Sequence, residues 1–133
     1  MTNNKPETLA RRLFEEVWNK KDAAAAQELI SDEYSSQESQ IFNGTNGHAV
    51  FAADDALYRG LYNDLHFDVK DLFAHGDSVV VNWEASGTSV NEFFISRIGK
   101  KTNKSLRAEG MSLVKIKNNK ILEARLYWPL NPL

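Results

Sequence analysis

Leu65-His66-Phe67-Asp68-Val69-Lys70 and, beyond His75-Gly76-Asp77, Val79-Val80-Val81-Asn82-Trp83-Glu84-Ala85-Ser86 are the stretches that decide how this chain folds. In the first, Leu65, Phe67 and Val69 alternate with His66, Asp68 and Lys70; in the second, Val79, Val81, Trp83 and Ala85 alternate with Val80, Asn82, Glu84 and Ser86. A two-residue period puts each set on one face of an extended strand. The pattern continues through Leu106, Ala108, Gly110, Ser112, Val114 and Ile116 to Asn118-Asn119, a pair that tolerates the positive backbone angles of a tight hairpin, and on into Ile121 to Trp128. Antiparallel strands are predicted near residues 65–73, 78–88, 104–117 and 120–128. Each has one apolar face that needs a cover, and helical patterning occurs only before residue 65. The expected architecture is α+β: a cone-shaped, curved antiparallel sheet with three N-terminal helices enclosing a pocket.

The first helix is predicted over residues 6–19, where Pro6 suits the first turn and Leu9, Leu13, Phe14, Val17 and Trp18 share a face. Asp22 is a natural N-cap for a second, over residues 22–30, whose Ala23 to Ala26 run permits close approach and whose Leu29 and Ile30 face inward. After Tyr34, the polar passage from Ser35 to Gln40 has room for a brief strand before the turn-rich Asn43-Gly44-Thr45-Asn46-Gly47. The third helix spans residues 48–62.

That third helix carries the main chemical question. Val50, Phe51, Leu57, Tyr58, Leu61 and Tyr62 define a broad apolar stripe, and Asp54 projects near its middle at about 100 degrees per residue. A carboxylate buried without a partner costs several kcal/mol or stays protonated, so Asp54 should line a wet cavity or meet a cation. One reading makes it an acid or base in the pocket. The other rolls the helix so that Asp54 lies at the mouth, or pairs it structurally with Arg97, Arg107 or Arg125.

Composition narrows the classes. A chain of 133 residues is one domain, 1–133, and its 42% hydrophobic and 26% charged content is that of a soluble globule. No apolar run approaches the roughly 20 residues of a membrane span. The polar start, Met1 to Thr8, has no signal-peptide core, so a cytoplasmic location without membrane association is expected. The absence of cysteine excludes disulfides and thiolate chemistry, and His48, His66 and His75 have no ligand spacing, so neither a metal nor a cofactor is expected. A net charge of −2 gives no field for nucleic acid. The lysines at 100, 101, 104, 115, 117 and 120 read as a solvated rim.

The run Arg11-Arg12-Leu13-Phe14-Glu15-Glu16-Val17-Trp18-Asn19-Lys20, the strand Gly76-Asp77-Ser78-Val79-Val80-Val81-Asn82-Trp83, then Gly87-Thr88 and Glu92-Phe93, come in a characteristic order. In these the chain resembles the SnoaL-like polyketide cyclases of the nuclear transport factor two-like superfamily. The resemblance implies a cone of three helices on a strongly bent sheet, frequently paired into dimers. It also implies acid-base residues inside the cone, as in cyclases, ketosteroid isomerases, dehydratases and epoxide hydrolases. Against that pattern, Ser36 and Gln37 stand where a His or Asp follows the second helix. Ser112, after Gly110-Met111, stands for an Asp, and Leu126 for an acidic residue of the last strand.

Gln37 and Ser112 exchange hydrogen bonds but not protons near neutral pH, so Asp54 is the one substitute base. Trp83 and Trp128, in the inward phase of their strands, and Tyr34 are expected in the pocket wall, with Phe93 and Phe94 at the mouth. Most of the chain's aromatic residues serve as core. The ligand expected is a hydrophobic small molecule. The reaction, where there is one, is that of a cyclase, isomerase or hydrolase on a carbonyl-bearing or cyclic compound. The alternatives are a carrier that does no chemistry and a scaffold whose cone is filled by its own side chains. On the other sheet face, Glu84, Arg107, Glu109, Met111, Leu113, Glu123, Arg125 and Tyr127 mix charges with apolar interruptions, which suits cross-strand pairing on an exposed face or a polar dimer interface, and a homodimer through this face is expected.

Overall fold

The computed structural model describes residues 5–35, 47–61, 64–88 and 105–129. Helix α1, Pro6–Arg12, has Pro6 in its first turn and continues as a π-helical segment, Leu13–Asn19. Within it Phe14 meets Trp18, four residues on, edge-on with ring centroids 4.7 Å apart. Lys21 then takes a positive φ of 56°, and Asp22 accepts a hydrogen bond from the Ala25 N–H at 3.1 Å, the N-cap expected for α2, Ala23–Leu29. Arg12 bridges Glu16 and Glu28, each at 2.9 Å, and so ties α1 to α2. These carboxylates hold its guanidinium well above the usual arginine range, the Glu28 hydrogen bond being the largest cause.

The prediction for residues 22–30 runs one residue too far: Ile30 leaves the helix and opens a strand, β1, Ile30–Ser35. The polar passage beyond Ser35 lies outside the described residues. Helix α3, His48–Leu61, begins against β1. The Gly47 N–H donates to the Tyr34 carbonyl at 2.7 Å, and His48 Nε2 lies 3.3 Å from Asp32. Gly47 is required there, since its φ is +93° and a Cβ would sit 2.6 Å from the Asp32 carbonyl oxygen.

The four strands read from the alternation are β2 (His66–His75), β3 (Ser78–Thr88), β4 (Ser105–Lys117) and β5 (Lys120–Tyr127). They pair as antiparallel neighbours, and β1 adds to β5 in parallel, so the order is β1-β5-β4-β3-β2 and the sheet is mixed. Asn118 and Asn119 have φ of 52° and 63°, the left-handed pair expected of a two-residue hairpin turn. Two bulges break the simple alternation. In β2, Val69 faces Trp83 and Asp71 faces Asn82, so Lys70 is the extra residue and the phase reverses. Leu72 therefore packs on the core and Phe73 turns to solvent, 64% exposed. In β5 the extra residue is Leu122, which lets Ile121 and Ala124 both face inward.

Helices and sheet meet at Asn19. Its side-chain amide donates to the Phe67 carbonyl at 2.6 Å and accepts from the Phe67 N–H at 2.8 Å, closing the end of the π segment onto β2. Replacing Asn19 with Ala leaves both backbone groups of Phe67 without these partners. The expected loss is about 1–3 kcal/mol, read as a lower urea midpoint at unchanged slope.

Candidate functional site

The concave face of the sheet is built from the inward residues of β3, β4 and β5. They are Val79, Val81, Trp83 and Ala85, then Ala108, Gly110, Ser112 and Val114, then Ala124 and Leu126. None of these is ionisable. Trp83, opposite Gly110, has no surface accessible to water. A Cβ at Gly110 would lie 2.3 Å from the Trp83 Cη2 and 2.7 Å from the Tyr127 carbonyl oxygen, so the indole lies across the glycine. The Trp83 Nε1–H donates to Ser112 Oγ at 2.9 Å, and Ser112 is 1% exposed.

An aromatic layer covers this floor. Phe67 meets Phe14 at 5.3 Å, Trp18 at 5.4 Å, Trp83 at 5.1 Å and Trp128 at 6.0 Å, while Trp83 and Trp128 are 4.7 Å apart. Tyr34 is buried and packs edge-on against Phe51, 5.4 Å away. Of these residues Trp18 and Trp128 remain half-buried, as does Leu126. The structure thus brings Trp83, Ser112 and Trp128 together and sets Leu126 beside Ser112 in register, with Tyr34 joined to the helical side. Gln37, Phe93, Phe94 and Arg97 lie outside the described residues.

Asp54 is half-buried on α3. At about 100 degrees per residue it falls between Val50 and Phe51, both buried. Arg107 and Arg125, offered above as its partners, pair instead with Glu84 and Glu123 on the outer sheet face. Asp55, on the other side of Phe51 and closer to it in angle, was not anticipated. It lines an open groove of about 430 Å3 with Lys21, Gln27, His48, Val17 and Phe51. Helical spacing could not choose between adjacent carboxylates about 60 and 40 degrees from the same buried residue. Below α3, Asp64 accepts from the Thr88 N–H at 2.6 Å and from its hydroxyl at 3.2 Å, and the backbone bond is the main cause holding its carboxyl below the usual range. Among the described residues no group of three metal-ligating side chains gathers, and no helix is long and apolar enough to cross a membrane.

The sequence profile of the SnoaL-like polyketide cyclases matches residues 8–131. The chain belongs to that family. Its fold is shared by a candidate SnoaL-like polyketide cyclase from Jannaschia sp. CCS1, at 17% identity and a TM-score of 0.73 over 98% of this chain and 92% of that one. A candidate polyketide cyclase from Acidithiobacillus ferrooxidans gives 18%, 0.72 and the same coverage. A candidate ketosteroid isomerase from Kribbella flavida gives 18% and 0.68, over 95% of this chain and 78% of that one. Among curated proteins none matches the sequence. At such identities the likeness establishes the SnoaL-like cone and leaves the chemistry to this chain's own residues.

The closest packing in the site makes its own prediction. Gly110→Ala drives a methyl group into the Trp83 ring and a backbone carbonyl, a typical overpacking cost of about 1–3 kcal/mol or more. Thermal unfolding should register this as a lower Tm, with the near-ultraviolet circular dichroism of the indole altered.

Proposed function

We propose that this SnoaL-like chain binds a hydrophobic, carbonyl-bearing or ring-shaped small molecule against Trp18, Leu126 and Trp128, with Asp54 as its proton-transfer group in cyclase, isomerase or hydrolase chemistry. The observations that carry this are a half-buried Asp54 between the buried Val50 and Phe51 of α3, and the absence of any acid or base among the inward residues described for β3, β4 and β5. A general base near neutral pH requires a carboxylate whose affinity for a proton is raised, and withdrawal from water is one way to raise it. The second reading, a carrier without chemistry, is favoured by Ser112. Where the family has an acid, this hydroxyl is sealed from solvent and already accepts the Trp83 indole proton.

A carboxyl NMR titration of wild type against Asp54→Asn separates the two, beside a binding assay with 1-tetralone as a bicyclic ketone probe. The enzyme reading expects Asp54 to titrate above its ordinary value of about 3.9 and the Asn variant to bind the ketone yet lose turnover once a substrate is found. An unshifted Asp54 with binding intact leaves the carrier.

The working form we propose is a homodimer joined through the outer sheet face. Phe73, Val80 and Leu113 are aligned across three strands there, with Met111 and Tyr127 in the next row, and Phe73, Met111 and Tyr127 are 64%, 48% and 49% exposed. The charged residues around this patch pair with one another, Asp68 with Lys70, Glu84 with Arg107 and Glu123 with Arg125, and so form a polar rim around the apolar rows. A stable dimer buries about 800 Å2 per partner. Sedimentation at micromolar concentration should give a dimer for wild type and a monomer for Phe73→Asp; a monomeric wild type refutes the assembly.

A further inference from the structure

Trp83 is one large side chain in a ring of small ones. Its register partner is Gly110, the next inward pair along β3 and β4 is Ala85 with Ala108, and Ser112 lies two residues beyond Gly110. All but Gly110 are buried, and the indole fills the hollow that these small residues leave in the concave sheet. Its orientation is set by three contacts: the glycine beneath its benzo ring, the bond from Nε1 to Ser112, and the edge-on rings of Phe67 and Trp128. A side chain held this way does not swing aside for a ligand without breaking a buried hydrogen bond.

From this arrangement we infer that Trp83 is a specificity-determining plug that sets the depth of the cone and limits its ligand to one or two rings. The inference rests on the ligand site proposed above, since the plug lies immediately beneath Trp128. On this inference a fused four-ring compound would have to enter the volume that the indole occupies, whereas a monocyclic or bicyclic ketone would stop at the Trp128 and Leu126 surfaces. Ser112 acts through Trp83: its hydroxyl positions the plug and does not touch the ligand.

Three proteins, wild type, Trp83→Ala and Trp83→Leu, are titrated with 1-tetralone and with androst-4-ene-3,17-dione, a four-ring ketone, and melted with and without indole. Removal of the plug should tighten the four-ring ketone at least about tenfold while 1-tetralone changes by less than about threefold. Indole should raise the Tm of Trp83→Ala and leave wild type unchanged, because apolar hollows on the order of 150 Å3 stay dry and take up a single aromatic ring. Wild type binding the four-ring ketone as tightly as the variants overturns the inference. So do variants that gain neither ketone nor indole, or a Trp83→Leu that does not fold even with indole present, since Trp83 is then only core. If neither ketone binds wild type but the four-ring ketone binds Trp83→Ala, the plug stands and the proposed ligand reading of the wild type fails; indole rescue with no ketone bound by any of the three proteins marks Trp83 as core and overturns the inference.

Discussion

Phe67 is the residue through which the two layers of this structure hold together. Its ring touches Phe14 and Trp18 on the helical side and Trp83 and Trp128 on the sheet side, and its backbone N–H and carbonyl are both bonded to the Asn19 amide. Aromatic pairs prefer edge-on or offset contacts, each worth about 0.5–1.5 kcal/mol beyond the area buried. Contacts of that kind on several sides fix the distance between the π segment and β2. With that distance set, the room left between helices and sheet follows.

The filling of that room separates this protein from a simple open cone. The inward residues of β3 and β4 alternate between branched aliphatics at one end and small residues at the other, and Trp83 occupies the small end. Acid-base chemistry on the sheet floor is thereby excluded at Ser112, which has no exposed surface to speak of and one oxygen already engaged. In the function proposed above, the proton-transfer group is therefore Asp54 of α3. The placement of α3 depends in turn on Gly47 and His48 against β1, the strand that joins the sheet in parallel.

The outer face owes its character to one inserted residue. Without the bulge at Lys70, Phe73 would share the inward face of Phe67 and Val69, and Leu72 would point to solvent. The reversal exchanges them and sets Phe73 in register with Val80 and Leu113. The same insertion therefore both completes the core and creates the exposed apolar row of the dimer interface proposed above.

Interactions between residues near each other along the chain could be read without coordinates. The period of β3 and β4, the Asn118-Asn119 turn and the Asp22 cap each depend on spacing over a few residues, and spacing is what a sequence contains. The ordered strings from Arg11 to Phe93 extended this to the family. Residues distant in the chain decided the remainder: Asn19 meets Phe67 across 48 positions and Trp83 meets Ser112 across 29. No local pattern announces that a serine will be spent on an indole, that a glycine is needed beneath a tryptophan, or that Lys70 will be squeezed out of register. Each follows from how closely two packed layers approach, and side-chain volume and hydrogen-bond satisfaction settle such choices only once the whole core is assembled.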